Sequence, residues 1–504
     1  MAENQQSMTL QEALELAIKH HQAGQLDNAK SIYQQILQAQ PQQPIALHFL
    51  GVISHQSGDN SLAVDLISKA ITLEPQYAEA HSNLSLALSA LGKTHDAIDS
   101  CKKALAINPE YAEAHNNLGL ALESLAKLND SEHCYRTAIN LKPTYAIAHN
   151  NLGNVLQDLG KLGAAIESYK KAIEEDPQYA DAHNNMGNAL RAEGRLEDAL
   201  ECYRKSLDIN KNSTHARSNF GDTLKDLAYQ KRFSEKNDSS ADQLKVAPKL
   251  SQDQSETWTE VLAVAESTLQ LKPNDTSGLA LKTSALIGLH KLDEWESLCN
   301  FERFIETVHI EVPNGYKNLK VFNESLFKRC SEDPNLSYEQ GGKAIKKGER
   351  LNALQLDPPD SPVSLLLDKA KNAIHDYTLG HPPDKKHPYL AQIPTKWRLT
   401  AWGSILYEQG HHETHIHPSG WISGVYYGIL PTCTKDGDGQ GEGYIEFGRP
   451  SNHVATQQDP NFHLLQPSEG QIVLFPSYFY HQTIPFQSNE KRFTIAFDVI
   501  PESW

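Results

Sequence analysis

The sequence predicts a multidomain chain, an all-α array of helix pairs followed by an all-β sandwich or barrel. Two observations carry this reading. Prolines at 41, 75, 109, 143 and 177 recur every 34 residues through the first half. From about residue 306 the 3.6-residue apolar rhythm gives way to short β-branched and aromatic runs bounded by Gly, Pro and Asn. Length agrees, since 504 residues exceed what one hydrophobic core supports.

The first half is justified segment by segment. PQYAEAHSNLSLALSALGKTHDAIDSCKKALAIN and PTYAIAHNNLGNVLQDLGKLGAAIESYKKAIEED each read as two amphipathic helices joined by a turn, near Gly92 and Gly160 here and near Gly194 in the unit after. Proline ends one unit and opens the next, because it cannot occupy a helix interior. Period, length and small-residue positions together resemble the tetratricopeptide repeat, which implies helix pairs stacked into a right-handed superhelix. The array is expected over residues 1–229, with a first unit at about 8–40 and a partial one at about 211–229. A polar stretch at 230–257 reads as a linker or disordered insertion, and 258–305 as a degenerate closing repeat.

Within the array Asn83, Asn117, Asn151, Asn185 and Asn219 keep the same period, and Asn116, Asn150 and Asn184 precede three of them. An amide carries both donor and acceptor, so such a stripe can hold an extended peptide backbone without reading its sequence. The alternative is a repeat consensus that uses asparagine for bonds between units. His81, His115, His149 and His183 also recur, at positions where the repeat family places a bulky packing residue, and read as structural.

In the second half SPVSLLLDKAKNAIHDYTL is an amphipathic helix, while LKVFNESLFKRC mixes helix and strand character. WRLTAWGSILYEQG, WISGVYYGILP, GYIEFGRP, QIVLFPSYFYHQTIPF and KRFTIAFDVIP supply the strands. Between the first two of these lies HHETHIHPSG, with four histidines in seven positions. On an extended chain residues i and i+2 share a side, so His415 and His417 can point together, with Glu413 on the same face. His411 and His412, adjacent to each other and to Gly410, read as solvated turn residues. A metal needs a further ligand, and His481 follows a later strand. Arg492 comes eleven residues after it, with Thr494 on the same strand face.

This order of a histidine pair, a distal histidine and Arg-x-Thr resembles the iron(II)- and 2-oxoglutarate-dependent oxygenases, and most closely a group of bacterial and phage members. HIHPSGWISGVYYGILP, GYIEFGRP, PSEGQIVLFPSYFYHQTIPF and RFTIAFDV match its blocks in order, over roughly 310–504. The resemblance implies a double-stranded β-helix (jelly-roll) domain at 306–504, Fe(II) as metal and 2-oxoglutarate as cosubstrate. It implies His415, His417 and His481 as metal ligands, and Arg492 and Thr494 on the distal carboxylate of 2-oxoglutarate. Tyr407 and Tyr427, on the flanking strands, face the cosubstrate or the core. One position departs from the broader pattern, because His417 stands where a carboxylate is usual. Imidazole is a good Fe(II) ligand, so a three-histidine site is sound. Glu413 as the acid, or a water or chloride in that place, stays open.

A cupin barrel is the rival fold, but Trp421 and Ile422 stand where its glutamate belongs, and Arg492 has no role there. The expected function is hydroxylation of a protein or peptide side chain using molecular oxygen, the repeats capturing the substrate. A repeat adaptor with a non-catalytic barrel, and an oxygenase of small molecules or glycans, are the alternatives.

Bulk composition excludes other classes. A net charge of −17 argues against non-specific nucleic-acid binding. MAENQQSMTLQEAL lacks a basic segment followed by an apolar run, and no apolar stretch of about 18 residues occurs, so neither export nor a membrane span is expected. Six scattered cysteines without a CxxC pair read as reduced, buried residues of a cytoplasmic protein.

Overall fold

The computed structural model describes residues 8–234, 252–338, 345–435, 441–451, 453 and 459–503. Its contacts divide the chain into two compact units, Met1–Lys211 and Asn212–Trp504.

In the first unit every 34-residue segment forms a helix pair. These are α1 (Leu10–Gln22) with α2 (Leu26–Ala39), α3 (Pro44–Gln56) with α4 (Asn60–Leu73), and α5 (Ala78–Ala90) with α6 (Thr94–Ile107). Then come α7 (Ala112–Glu123) with α8 (Leu128–Leu141), α9 (Ala146–Asp158) with α10 (Leu162–Glu175), and α11 (Ala180–Ala192) with α12 (Leu196–Ile209). Helices approach closely because a glycine on the first faces a tyrosine on the second. A Cβ on Gly153 would lie 2.4 Å from the Tyr169 ring, and one on Gly187 would lie 2.6 Å from Tyr203. Each pair turns through a left-handed residue, which glycine adopts without steric cost. Gly24, Gly58, Gly92, Gly160 and Gly194 fill this place, but the fourth pair uses Ala126 at φ 56°.

The asparagine stripe bonds one unit to the next. Asn83 Nδ2 donates to His48 Nε2 at 2.9 Å, and Asn117 Nδ2 to Ser82 Oγ at 3.0 Å. Asn151 Nδ2 donates to Asn116 Oδ1 at 3.0 Å, and Asn185 Nδ2 to Asn150 Oδ1 at 3.1 Å. In turn Asn116, Asn150 and Asn184 donate to the Oδ1 of the asparagine that follows each. Asn83, Asn117, Asn151 and Asn185 thus make the bonds between units that a repeat consensus would use. Asn219 carries the period into the other unit. The recurring histidines take a capping role. The Nε2 atoms of His81, His115, His149 and His183 donate to the carbonyls of Pro75, Pro109, Pro143 and Pro177 at 2.9–3.3 Å.

The second unit begins with helices. α13 (Thr214–Ser234), α14 (Gln252–Leu271), α15 (Thr276–Gly288), α16 (Leu292–Leu298) and the short α17 (Phe301–Phe304) precede the strands. The polar stretch at 230–257 is thus helical at both described ends, and residues 235–251 lie outside the described residues. These helices pack on the β domain. Thr276 Oγ1 donates to Gly420 O at 2.8 Å, Tyr478 OH to Leu298 O at 2.7 Å, and buried Lys225 Nζ to Tyr480 OH at 3.2 Å. Ser284 Oγ reaches the same phenol at 3.3 Å.

The strands are β1 (Glu306–His309), β2 (Ser337–Tyr338), β3 (Ile345–Leu351), β4 (Lys396–His412), β5 (Ile422–Ile429), β6 (Ile445–Phe447), β7 (His463–Leu465), β8 (Gln471–Pro476), β9 (His481–Thr483) and β10 (Arg492–Ser503). They form two antiparallel sheets of a jelly roll, ordered β1-β8-β5-β10-β4-β3-β2 and β7-β6-β9. α18 (Leu319–Ser331) and α19 (Pro362–Gly380) cover the larger sheet, and α20 (Thr432–Lys435) follows β5. LKVFNESLFKRC is thus wholly within α18, its mixed pattern resolved by burial of Phe322 and Leu326. Alternation decides what each strand offers. Phe493, Ile495, Phe497 and Val499 of β10 join the apolar core with Phe322, Leu366 and Ile374, which leaves Arg492, Thr494, Ala496 and Asp498 for the other face. Burying each of those apolar side chains contributes about 1.5–3 kcal/mol. Among the described residues no helix is long and apolar enough to cross a membrane.

Candidate metal centre

The segment after β4 is pinned by backbone bonds to the start of β9 and to the turn before it. His415 and His481 exchange N–H···O bonds of 3.1 Å, and His417 N donates to Ser477 O at 3.0 Å. With i and i+2 on one side, the rings of His415 and His417 face inward toward His481. Ring centroids stand 5.2 Å apart for 415–417, 4.3 Å for 415–481 and 5.0 Å for 417–481. One nitrogen from each ring lies within 4.8 Å of the other two.

Each Nδ1 is already committed. His415 Nδ1 donates to Glu413 O at 2.7 Å, His481 Nδ1 to Phe479 O at 3.1 Å, and His417 Nδ1 to Asp498 Oδ2 at 2.9 Å. These bonds fix the tautomer that keeps an Nε2 lone pair, the arrangement a metal-binding imidazole needs. Burial pushes His415 down to about 4 and His481 well below the ordinary histidine range, with neighbouring histidines adding to both. His415 and His481 are therefore held neutral, as ligation requires.

A cavity of about 50 Å³ adjoins the three rings. Tyr427, Arg492, Thr494 and Ser404 line it, with Phe475, Ile445 and Val425 as apolar walls. Register explains the meeting, because Thr494 lies opposite Ser404 of β4 and Tyr427 of β5. The Arg492 guanidinium is buried 5.4 Å from the Tyr427 ring centroid. Its Nε and Nη1, Ser404 Oγ and His417 Nε2 are buried with no hydrogen-bond partner among the described residues. Leaving such groups unmet costs several kcal/mol, about 1–3 kcal/mol for each neutral one and more for the cation. An unmet imidazole lone pair beside an unmet guanidinium is what a cation bound with a small dianion would satisfy. The residues present thus fit iron and 2-oxoglutarate.

The structure brings His415, His417, His481, Arg492, Thr494 and Tyr427 to this place, and two candidates it does not. Tyr407 is corrected, because odd-numbered residues of β4 face away from Trp402 and Ser404 and its hydroxyl bonds Glu349. Glu413 is exposed and pairs with Lys346 at 3.3 Å, so the acid near the histidines is not this one. Asp498 is. It bonds Ser423 Oγ at 2.7 Å as well as His417, and it shares the face of Arg492 and Thr494. His412 is also corrected, since it lines the cavity instead of meeting solvent, with Nδ1 3.3 Å from Thr483 Oγ1. His411 stays at the rim, bonded to Gln409 O at 3.0 Å.

Comparison with known proteins adds the family. Residues 400–498 match the sequence model described as "Putative 2OG-Fe(II) oxygenase". Tetratricopeptide-repeat models match at 14–81, 86–125, 127–160, 153–190 and 180–213. No curated protein matches the chain. Among solved structures, a thermophilic tetratricopeptide-repeat protein of Thermus thermophilus is 26 % identical, with TM-score 0.34, 36 % of this chain and 99 % of that one covered. MamA is 28 % identical, with TM-score 0.28, 33 % of this chain and 96 % of that one covered. The Cut9–Hcn1 tetramer of APC/C is 17 % identical, with TM-score 0.42 and 44 % of each chain covered.

Proposed function

We propose that this chain, a tetratricopeptide-repeat array between residues 14 and 213 joined to a "Putative 2OG-Fe(II) oxygenase" domain at 400–498, hydroxylates a protein side chain with Fe(II), 2-oxoglutarate and molecular oxygen. The observation that carries the reading is the convergence of His415, His417 and His481 beside the buried, unmet guanidinium of Arg492. The three Nε2 atoms would hold iron, and Arg492 with Thr494 would hold the distal carboxylate of 2-oxoglutarate. Bound there, the pair would activate molecular oxygen, one oxygen atom oxidising the C–H bond to C–OH while the other converts 2-oxoglutarate to succinate and CO2.

The chain's own residues prepare that event. Asp498 keeps the proton of His417 on Nδ1 and so orients the ring. The guanidinium fork suits a carboxylate in two parallel bonds, while Phe475, Ile445 and Val425 exclude water around it. The repeats would bring a protein partner, as this repeat family commonly does.

Succinate release from 2-oxoglutarate by purified protein and Fe(II), with and without cell extract as a source of substrate, tests the reading. Arg492→Ala should raise the 2-oxoglutarate requirement by roughly ten- to a hundredfold, the worth of one charge-assisted pair. Arg492→Lys should fall between, keeping charge but losing the fork. Equal cosubstrate affinity in parent and Arg492→Ala counts against the role. A second reading, a barrel that only binds, is favoured by one observation: among the described residues, three imidazoles and no carboxylate face the metal position. Absence of succinate under every condition would select it.

A further inference from the structure

We propose that the substrate is taken as an extended peptide, paired backbone to backbone with the open edge of β4 beside the histidine cluster. This rests on the oxygenase reading and adds how the substrate is held. β10 runs along one edge of β4 over residues 396–406. β3 covers the other edge at 403–406 and at 411–412, so 396–402 has no strand on that side among the described residues.

β3 stops for a local reason. Ala353, just past its end, is left-handed at φ 62°, and the chain turns there toward the helix-covered face of the sheet. A Cβ on Gly403 would meet Leu354 Cδ1 at 3.6 Å and Cys330 Sγ of α18 at 3.5 Å, which places Leu354 on that face. The side chain of Gln355 reaches back, its Oε1 accepting from Ala401 N at 3.0 Å. That bond fixes which backbone groups face the open edge. Along an antiparallel strand successive residues turn their N–H and C=O to opposite sides, so Leu399 and Trp397 point the way Ala401 does. β10 agrees. Val499 O accepts from Trp421 N at 2.9 Å on the β5 side, which leaves Asp498 and Ile500 to face Thr400 and Arg398. Leu399 and Trp397 thus hold out N–H and C=O groups to a strand laid alongside, the way sheets take up extended peptides.

Position ties this edge to the metal centre. A cleft of about 530 Å³ lies against it, lined by Thr400, Trp402, Ala353 and Gln355 and also by His415 and His417. Trp402 stacks on His417, 5.4 Å away at 24°. Leu399 stands three residues from Trp402, about 10 Å along the strand. A peptide paired at Leu399 and continuing over Trp402 therefore brings to the histidines a side chain about three or four residues further on. Charge favours a peptide here over a second copy of this chain. Lys396 and Arg398 are exposed on this stretch, and two such edges laid together would gather four cations between molecules of net charge −17. An uncharged peptide meets no such opposition.

The probe is a labelled hexapeptide of alternating threonine and valine, an uncharged strand former, read by fluorescence anisotropy on the full chain. It should bind, and the same peptide methylated at every backbone nitrogen should bind about tenfold or more weakly. Leu399→Pro should cost about tenfold or more in affinity, since an edge strand tolerates proline but loses the N–H. Leu399→Ala trims the side chain, keeps the N–H and should retain binding. Melting temperatures show whether the variants remain folded. Hydrogen exchange in the parent needs no variant, and the Leu399 amide should slow by about tenfold or more when the probe is bound. No binding of the probe, equal binding of its methylated form, or an unprotected Leu399 amide would each overturn the proposal. Protection of Leu399 without probe, rising with protein concentration as the mass doubles, would overturn it in favour of a second copy at the edge. Binding is read without iron or 2-oxoglutarate, so its failure is separable from failure to release succinate.

Discussion

Asp498 sits one bond behind the proposed metal, holding His417 Nδ1 at 2.9 Å. Asparagine has the same shape without the charge, and its amide can turn a donor toward the ring. Asp498→Asn should therefore weaken Fe(II) binding by about ten- to a hundredfold, as such supporting partners generally do. Titration of the apoprotein with Fe(II) under anoxic conditions reads this, and unaltered affinity would leave His417 oriented by something else. A second residue sets a pH limit on the array. His48 is buried, accepts from Asn83 at Nε2 and meets Tyr77 OH at Nδ1, 2.8 Å away. Burial, with His21 adding, pushes it down to about 4, and a proton on Nε2 would also oppose the Asn83 N–H. In the unfolded chain histidine titrates near about 6.5, so the unfolded state binds the extra proton first. The stability His48 contributes is thus complete above about pH 6.5 and is lost as pH falls toward its folded value, up to roughly 3 kcal/mol. Unfolding midpoints measured from pH 7 to 4.5 should drop less steeply in His48→Gln than in the parent. Parallel slopes would remove this role.

At the scale of the element, the left-handed turn of each helix pair is the most exposed to test. Five such turns carry glycine, whereas Ala126 carries a Cβ at φ 56°. The left-handed conformation costs an L-residue about 1–2 kcal/mol, partly offset in glycine by its freer unfolded chain. Ala126→Gly should stabilise the protein by about 0.5–1 kcal/mol in urea unfolding, and a neutral or destabilising result would contradict the account. This element was legible in the sequence, since the 34-residue period places residue 126 in the column of Gly92 and Gly160. The strands were legible for a related reason. Alternation in RFTIAFDV places Arg492 and Thr494 on one face, and the same count reaches Asp498. Parity on β4 likewise turns Tyr407 away once Trp402 and Ser404 are known to face the cavity. The fate of the asparagine stripe was not legible, because an amide that binds a peptide and one that binds the next repeat have the same spacing. His412 was hidden for another reason. Only the pairing of Ile345 with His412 across an irregular stretch of β3 and β4 brings its ring indoors.

For the whole molecule, the division at 211/212 matters more than the change of rhythm at 306 that the sequence displays. Apolar periodicity records helix against strand and does not record which helices a β domain needs. Lys225 of α13 is the plainest case, a buried ammonium donating to Tyr480 OH, next in sequence to His481. Lys225 also meets Asp222 Oδ1 at 3.3 Å and Ser451 Oγ at 3.4 Å, so removing one acceptor by Tyr480→Phe should cost about 1–3 kcal/mol, as for one lost hydrogen bond to a buried charge. Adding Lys225→Met should restore part of that, because it removes the buried ammonium that lacks an acceptor while leaving half-exposed Asp222 to solvent. Thermal unfolding of the single and double variants decides, and additive losses would mean that the two groups are not coupled.

That seam also limits how such a protein can be recombined. A cut at 306 follows the visible change of texture, but it strips Tyr478, Tyr480 and Gly420 of the helical partners that cover them. A cut at 211 keeps that covering with the jelly roll and divides only the repeats. Exchange of one capture array for another, by gene fusion or in the laboratory, therefore has its permissive joint inside the helical region. The first helices after that joint belong by inheritance to the chemistry, although their sequence still speaks the language of the array.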